Sequence, residues 1–339
     1  MKNVKKKKGR LFRILLIEIL LVVILMICFK VYDFMHRMNY NDSDDSNIVQ
    51  NEIDNADIEE YRNIAIFGVD SRANALEKST HSDTIIIASI NNKTKDIKLA
   101  SIYRDTYVNI PDNGFTKINA AYFKGGYSLA LTTINTNFDL DVKEYVTVNF
   151  SAVVNMVDLL GGIELDITDS ELKYLNGYVR SLNKINGTNV SGLSSSGTQV
   201  VNGTQATAYA RIRYTTGGDF KRAERQRIVV SKIFEKLKSS KLSTIDTVLN
   251  EILPQVSTNL KPLEILSLAK DILSYNLSDQ TGFPFEKDAH TYNRVSYVFP
   301  IDLEANVSKL HKFLFGTFNY IPSQTVQGYS SEIEAIRIQ

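Results

Sequence analysis

The stretch YARIRYTTGGDFKRAERQRIVVSKIFEKLK, residues 209–238, decides how the rest of the chain is interpreted. Its first residues alternate in character, which predicts a short strand with Arg211 and Arg213 on one face and Ala210 and Ile212 on the other. Two guanidinium groups on one strand face require an anionic partner nearby. The stretch therefore predicts a local site for negative charge.

A helix is predicted after the glycine turn, with Asp219 as its N-cap. Arg222, Arg225 and Gln226 are spaced at i, i+3 and i+4, so they share one side of the first two turns. Arginines beside a helix N-terminus favour phosphate, because guanidinium binds its oxygens bidentately and the helix amides add positive potential. The alternative is that these arginines are solvated or paired with carboxylates such as Glu224.

The N-terminal part of the chain predicts a membrane anchor. Residues 1–10 form a basic cytoplasmic tail, and residues 11–30 form an almost unbroken apolar run that is long enough to cross a membrane once as a helix. Lysines before the run place the remainder of the chain outside the cytoplasm. A cleaved signal peptide is the alternative, but no small-x-small site follows, which favours a retained single-pass anchor. Residues 31–60 are polar and acidic and predict an extracytoplasmic tether.

The exported part of the chain is acidic and lacks disulfide partners. Residues 1–40 hold nine of the 39 basic and two of the 38 acidic residues, which leaves 30 against 36 and a net charge of −6. This balance argues against nucleic acid as a partner. The one cysteine, Cys28, lies in the anchor, and no Cys-His cluster indicates zinc, so a hydrophobic core must hold the fold.

Three strands open the folded part. The first, in NIAIFGVDSR, is apolar on both faces and is followed by Asp70 and Arg72. Strands at 84–90 and 97–102 are joined by the polar turn NNKTKD and form a predicted hairpin. Asp83 precedes the hairpin and Arg104 follows it, so the two become neighbours at one sheet edge, where Asp70 joins them if the first strand ends there.

This edge has the side chains that a divalent cation and a phosphate require. Mg²⁺ prefers oxygen ligands and is commonly held by one or two carboxylates, here Asp70 and Asp83, together with phosphate oxygens. The alternative is that both aspartates are turn or capping residues. Lys117 and Asn119, in KINAAYFKGG, could add polar contacts.

The rest of the chain predicts one α/β/α domain over residues 61–320, followed by a C-terminal tail at 321–339. The helix in FSAVVNMVDLLGG carries an apolar stripe with Val153, Val154 and Val157, which belongs either to the core or to a pocket for a lipid chain. Residues 171–203 are rich in Gly, Ser, Asn and Thr and predict a long irregular excursion. The remaining predicted elements are helices at 127–137, 242–253 and 262–276 and strands at 144–148, 163–167 and 297–301.

Six segments, in order behind a single anchor, resemble the LytR-CpsA-Psr family of bacterial cell-wall proteins: GVDSR, SDT, SIYRDTYV, KINAAY, DLLGGIELDI and YARIRYTTGGDFKRAERQ. The resemblance implies an α/β/α fold around a mixed β-sheet, with a hydrophobic tunnel for a polyprenyl chain. It implies Mg²⁺-dependent transfer of a glycopolymer, such as teichoic acid or capsular polysaccharide, from a polyprenyl-pyrophosphate carrier to a peptidoglycan hydroxyl. The implied location is the cell membrane of a Gram-positive-type bacterium, with the catalytic domain outside.

The resemblance also implies residue roles. Asp70 and Asp83 would hold the metal, and one of Asp70, Asp83 or Asp219 would serve as general base beside Arg104. The tunnel would be lined by Val153, Val154 and Val157. The pyrophosphate would contact Arg72, Arg104, Lys117, Arg211, Arg213, Arg222, Arg225 and Gln226.

Two positions depart from the family pattern. His81 stands where the family usually has an arginine before SDT, which removes one expected phosphate contact, and Tyr103 replaces the usual proline before RDT. Two other functions use the same sequence features: hydrolysis of the lipid pyrophosphate, and a membrane-anchored regulator or glycan-binding module without catalysis. The sequence leaves open which glycopolymer is the donor, which hydroxyl accepts it, and the oligomeric state.

Overall fold

The computed structural model describes residues 39–41, 47–53, 57–70, 76 and 80–338 of the 339-residue chain. The predicted transmembrane helix at 11–30, most of the tether and Arg72 lie outside the described residues. Within the described ranges, no helix combines the length and apolarity needed to cross a membrane.

The described residues contain strands and helices that are numbered here in chain order. The strands are β1 (Asn39–Tyr40), β2 (Tyr61–Val69), β3 (Ser82–Asn91), β4 (Asp96–Ile102), β5 (Tyr107–Ile110), β6 (Gly114–Lys117), β7 (Glu144–Asn149), β8 (Ile163–Ile167), β9 (Gly197–Val201), β10 (Val256–Thr258), β11 (Asn276–Phe283), β12 (Lys287–Tyr292) and β13 (Val295–Pro300). The helices are α1 (Asn119–Phe138), α2 (Phe150–Leu159), α3 (Asp169–Asn186), α4 (Gly203–Ala210), α5 (Gly218–Lys238), α6 (Leu242–Ile252), α7 (Pro262–Lys270), α8 (Leu303–Phe315) and α9 (Gln324–Arg337).

The central sheet has seven strands in the order β1-β10-β7-β2-β3-β4-β11. The pairs β1/β10, β7/β2 and β4/β11 are parallel, and the pairs β10/β7, β2/β3 and β3/β4 are antiparallel. The predicted mixed sheet and the predicted β3–β4 hairpin are confirmed. The pairs β5/β6, β8/β9 and β12/β13 form separate two-stranded sheets.

Hydrophobic cores cover both faces of the central sheet, because successive buried side chains of a strand point to opposite faces. On one face, Phe67 and Ile87 pack against α1, α8 and α9. On the other face, Ile64 and Ile86 pack in one core with Val230 of α5 and Leu268 of α7. This arrangement gives the predicted three-layer α/β/α order. Helix α9, which lies in the segment assigned above to a C-terminal tail, contributes buried side chains to the first core.

Two elements differ from the sequence-based expectations. Residues 209–213 do not form a strand: helix α4 begins at a capping box between Asn202 and Gln205 and runs to Ala210, so Tyr209 is buried in a helix. Residues 171–203 are mostly regular, because they form most of α3 and then β9, and only the connection at 187–196 is irregular as predicted. A capping box between Thr168 and Glu171 starts α3, and an apolar face buries it.

Two further boundaries are corrected. Helix α5 has Gly217 as its N-cap, with φ of 94°, so Asp219 lies in the first turn and not at the cap. The predicted helix at 262–276 ends at Lys270, and Asn276 begins strand β11, which is parallel to β4. The helix predicted at 127–137 is the second half of α1, which is interrupted at Gly125 and Gly126.

Candidate functional site

A β-bulge presents Asp83 at the edge of the central sheet. The β2–β3 register pairs Gly68 with Thr84 and then Val69 with Ser82, so Asp83 is the extra residue of β3. Bulges bend a strand and re-aim a side chain, and they are frequent beside functional sites. Gly68 permits the close approach, because a Cβ there would lie 2.8 Å from Thr84 Cβ.

Arg104 follows the end of β4 and contacts three carboxylates, including that of Asp105 at 3.7 Å. Its Nη1 lies 2.6 Å from Asp83 Oδ1, and its Nη2 lies 3.4 Å from Asp219 Oδ2. The predicted neighbouring position of Asp83 and Arg104 is therefore confirmed. Burial alone would raise the pKa of Asp83, but attraction to Arg104, Arg222 and Arg213 outweighs burial and lowers it. Asp83 is thus ionised at neutral pH.

Arg213 and Arg222 complete the charge cluster around these carboxylates. Arg213 Nη2 lies 3.3 Å from Asp83 Oδ2, and Arg222 Nη1 lies 3.4 Å from Asp219 Oδ1. Arg222 Nη2 also donates to the Asp83 carbonyl at 3.3 Å. Burial, together with repulsion by Arg104, lowers the pKa of Arg222 to about 10. Arg222 stays protonated at neutral pH, and a further anion would stabilise its buried charge.

Arg211 caps the C-terminus of α4 and stacks on aromatic rings. Its guanidinium carbon lies 4.6 Å from the centroid of Phe150 and 5.8 Å from that of Tyr178. The buried atoms Arg211 Nη1 and Arg222 Nε have no hydrogen-bond partner among the described residues. A buried donor without a partner is rare in native proteins and requires an explanation such as a bound water or a ligand oxygen.

These side chains surround one cavity of about 360 Å³. Four of the lining residues are arginines and two are aspartates, which gives a formal excess of two positive charges. The lining residues are Asp70, Asp83, Arg104, Phe150, Tyr178, Arg211, Arg213, Tyr214, Arg222 and Gln226. We call this the anion cavity. Its charge and its free donors suit a diphosphate, although the catalytic and binding roles of the individual residues stay predictions.

Arg225 does not face the anion cavity. Its Nε lies 2.7 Å from Glu171 Oε1, its Nη1 donates to the Ile212 carbonyl at 3.1 Å, and its Nη2 donates to Thr215 Oγ1 at 2.6 Å. The side chain is 2% exposed. These three partners all belong to the protein, and Glu171 reaches Arg225 because α3 packs against this side of α5. The structure thus separates Arg225 from the phosphate-contact group predicted from its spacing.

Three other predicted residues lie at or behind the cavity wall. Lys117 Nζ lies 3.0 Å from Asp105 Oδ1, and Asp105 in turn contacts Arg104. Asp219 and Gln226 line a small cavity of about 20 Å³ beside Arg104. Gln226 lines the anion cavity as well, whereas Arg72 lies outside the described residues.

An apolar cavity of about 80 Å³ adjoins the anion cavity between α2, α5 and the sheet. The two cavities share Phe150 and Gln226 in their walls. Of the three valines predicted to line a tunnel, Val153 lines this apolar cavity. Val157 is fully buried in the core formed with α3, and the Val154 carbonyl packs against Gly203, where a Cβ would lie 2.0 Å away.

The donor atoms at the anion cavity are of the kind that Mg²⁺ prefers. Asp70 and Asp83 both line it, but Asp83 already contacts Arg104 and Arg213. In the part of the chain that the structure describes, no group of three or more His, Cys, Asp or Glu could hold a metal alone. A divalent ion here would need additional oxygens from water and a phosphate ligand.

The two departures from the family pattern take defined places. His81 stacks on Phe123 with centroids 4.8 Å apart, and Tyr103 packs edge-on against Phe220 at 4.6 Å. Among the cavity residues, Tyr178 and Tyr214 were not predicted. The apolar periodicity of α3 was the available signal for Tyr178, and Tyr214 directly follows Arg213.

Comparison with known proteins agrees with this geometry. A model of the LytR_cpsA_psr family matches residues 26–310. The chain is 33% identical over 244 residues to the polyisoprenyl-teichoic acid–peptidoglycan teichoic acid transferase TagU of Enterococcus faecalis. The aligned part covers 68% of this chain and 74% of TagU.

Two solved structures show the same fold. Protein gbs0355 of Streptococcus agalactiae has a TM-score of 0.63 and 25% identity and covers 81% of this chain and 95% of its own. The family protein YwtF (TagT), solved with bound octaprenyl pyrophosphate lipid, has a TM-score of 0.55 and 23% identity and covers 85% of this chain and 94% of its own.

Proposed function

Because the chain belongs to the LytR_cpsA_psr family, we propose that it transfers an anionic cell-wall glycopolymer from a polyprenyl-pyrophosphate carrier to a peptidoglycan hydroxyl. One observation carries this proposal: a cavity with an excess of two positive charges adjoins an apolar cavity through Phe150 and Gln226. A lipid diphosphate has the matching order, an apolar chain followed directly by two phosphates. Relatives named as teichoic acid transferases, and a family structure with octaprenyl pyrophosphate, support the same substrate class.

The proposed reaction is a direct phosphoryl transfer. An acceptor hydroxyl oxygen forms a bond to the sugar-side phosphorus, the bond from that phosphorus to the bridging oxygen breaks, and polyprenyl phosphate leaves. Negative charge accumulates on the phosphoryl oxygens and on the leaving group. Positioned guanidinium groups stabilise that charge, so electrostatics and alignment supply most of the catalysis.

The arginines have distinct places in this proposal. Arg211 and Arg222 offer the buried unpaired donors Nη1 and Nε to phosphoryl oxygens. Arg104 and Arg213 are held on the cavity wall by Asp83, so their orientation is set before the substrate arrives. Preorganised donors lose less entropy on binding than mobile side chains.

The hydroxyl proton requires an acceptor other than Asp83. The lowered pKa of Asp83 makes it a weak base, because three guanidinium groups stabilise its ionised form. Asp70 is exposed at the cavity, and Asp219 is half-buried beside Arg104 and Arg222. We assign proton acceptance to one of these two carboxylates, and to Asp219 when Asp70 holds the metal.

We propose Mg²⁺ as the cofactor, held by Asp70 and Asp83 together with diphosphate oxygens. When bound, it would neutralise charge on the phosphoryl oxygens as a Lewis acid. We also propose that residues 11–30 anchor the protein in the cell membrane as a single pass, with the N-terminus cytoplasmic and the catalytic domain outside.

The test combines the full-length protein in detergent with polyprenyl-pyrophosphate glycan, peptidoglycan oligomers and Mg²⁺, and identifies products by mass. A glycan joined to peptidoglycan through a phosphodiester is expected, together with polyprenyl phosphate. Arg104→Ala should abolish both products, whereas Arg180→Ala, at an exposed position on α3, should not. Free glycan phosphate with no linked product would instead indicate a hydrolase, and no release of polyprenyl phosphate would indicate a non-catalytic module.

A further inference from the structure

Helix α7 is apolar on two opposite faces. Its inner face carries Ile265 and Leu268, which pack in hydrophobic cores. Its outer face carries Leu263 and Leu266, which are spaced at i, i+3 and are 70% and 37% exposed. Leu273, three residues after the end of the helix, is 66% exposed. The outer face of a surface helix is normally polar, so this row of leucines requires an explanation.

The exposed leucines are confined to one part of the molecule. In the part of the chain that the structure describes, every leucine that is at least 37% exposed lies in α6, in α7 or just after α7. The fourth of them, Leu242, is the first residue of α6 and is 78% exposed. Lys238 donates to the Tyr275 carbonyl at 2.5 Å, so the start of α6 lies close to the chain that follows α7. We call the surface that carries these leucines the leucine face: Leu242, Leu263, Leu266 and Leu273.

The chain enters the folded part beside α6 and α7. Strand β1 pairs with β10, and β10 lies in the connection between these two helices. Tyr40 of β1 packs in one core with Leu249 of α6 and Ile265 of α7. Strand β1 is also an edge of the seven-stranded sheet, and at about 4.8 Å per strand the opposite edge, β11, is about 29 Å away. The entry point is therefore at the edge from which α7 starts.

The proposed membrane anchor ends close to this entry point. Eight residues, 31–38, separate the predicted anchor at 11–30 from Asn39. A segment of this length spans at most about 30 Å when it is fully extended. Strand β1 therefore lies within about 30 Å of the bilayer. We propose that the leucine face docks on the extracytoplasmic surface of the membrane, with its leucines inserted at the level of the lipid headgroups, an inference that rests on the proposed membrane anchor.

The chemistry of the leucine face fits a bilayer and not an ionic partner. Residues 241–273 include three lysines and four carboxylates, so the segment has no excess of positive charge for anionic lipids. Leucines gain free energy wherever water is removed from them, and a helix with apolar outward side chains can lie in the plane of the interface. Because the anchor keeps the domain near the bilayer, docking is intramolecular and needs little affinity of its own. Salt should therefore have little effect on the contact.

The test uses the full-length Cys28→Ser protein in phosphatidylcholine nanodiscs that hold one copy each. A nitroxide label is attached at Leu263→Cys or at Leu273→Cys. The control is Ile321→Cys, an 81% exposed apolar position between α8 and α9, on the opposite face of the sheet. Collision with a water-soluble nickel complex should be at least about fivefold weaker at the two leucine positions than at the control, and collision with oxygen, which dissolves preferentially in the bilayer, should be stronger. About 1 M NaCl should leave both ratios unchanged.

A second variant shows that the leucines themselves make the contact. Leu242→Ser/Leu266→Ser should raise the nickel accessibility of the Leu263→Cys label at least about threefold, because less apolar surface remains to hold the face on the bilayer. None of the four leucines belongs to a hydrophobic core, so each variant should unfold at the same denaturant concentration as the original protein.

The other outcomes contradict the proposal in distinct ways. Equal nickel accessibility at all labelled positions would refute docking. Protection that appears only in discs with two copies would assign the leucine face to a second copy of this chain and refute the lipid contact. Protection that is lost at high salt would indicate an ionic contact in place of leucine insertion. Release of the protein from membranes by alkaline carbonate would refute the anchor and docking together, whereas glycan transfer, measured separately, tests the proposed activity.

Discussion

Replacing Arg225 by Met tests whether a buried guanidinium supports the loop that carries Arg211 and Arg213. The side chain joins three parts of the structure through Glu171 of α3 and through Ile212 and Thr215 of that loop, at 2.6 to 3.1 Å. Met has a similar length and no charge. The substitution therefore removes the contacts and leaves most of the packing in place.

The expected cost follows from burial. Glu171 is 5% exposed, so removing Arg225 leaves a carboxylate without its cation in the interior. Breaking a buried ion pair in this way costs roughly 3–5 kcal/mol of unfolding free energy. Glu171 still accepts from the Thr168 N–H at 3.0 Å, which places the expected loss near the lower end, about 3 kcal/mol.

A second substitution separates charge from support. In the double variant Arg225→Met/Glu171→Gln, the unpaired charge is gone while Gln keeps the capping box of α3, so about 1 kcal/mol or more should return. The loop remains without its two hydrogen bonds to Arg225. Transfer activity should therefore stay at least about tenfold below that of the original protein, because misplacement of catalytic groups by about 1 Å is costly.

The assay pairs denaturant unfolding with transfer rates measured where all variants are folded. Recovery of full activity together with stability in the double variant would refute the role of Arg225 as a support for the loop. A loss below about 1 kcal/mol in Arg225→Met would refute the buried pair as a stabilising contact.

Four further results are expected. Arg104→Lys removes the planar guanidinium that contacts the carboxylates of Asp83 and Asp219, so the steady-state transfer rate should fall at least about tenfold. The control Lys117→Ala changes a residue behind the cavity wall and should alter that rate less than about threefold. Val153→Phe fills the apolar cavity and should weaken binding of polyprenyl diphosphate but not of inorganic diphosphate in calorimetry, and equal weakening would contradict a lipid site there. Burial lowers the pKa of His311 to about 4, below the ordinary 6.5. As the pH falls from 7 to 4, the unfolded chain therefore protonates this histidine before the folded protein does, and the free energy of unfolding should decrease by about 2–3 kcal/mol. In unfolding curves at several pH values, His311→Gln should lack that part of the slope. Chelation of Mg²⁺ by EDTA should stop transfer, and added Mg²⁺ should restore it; transfer that persists in EDTA would rule out the metal.

The sequence predicted the edge of the sheet well because the signal there is local. Two apolar strands joined by a short polar turn form a hairpin, and antiparallel geometry then puts Asp83 and Arg104 at the same end. The β-bulge that re-aims Asp83 is invisible in the sequence, since it depends on the register with β2.

The errors have equally definite causes. The alternation of polar and apolar residues at 209–213 is too short to identify a strand. The capping box that begins at Asn202 instead starts a helix that runs to Ala210. The polar composition of 171–203 outweighed the apolar periodicity of α3 in the prediction. Arg222 and Arg225 are equivalent by helical spacing, yet only Arg222 contacts the anion cavity, because Glu171 binds Arg225 from another helix.

The sequence by itself determined the hairpin, the helix of α5 and the set of arginines and aspartates, because backbone periodicity and side-chain chemistry are properties of neighbouring residues. Only the tertiary structure decided which arginines face the anion cavity and which valine lines the apolar cavity. Those contacts join residues far apart in the chain, and their geometry depends on how the helices pack on the sheet.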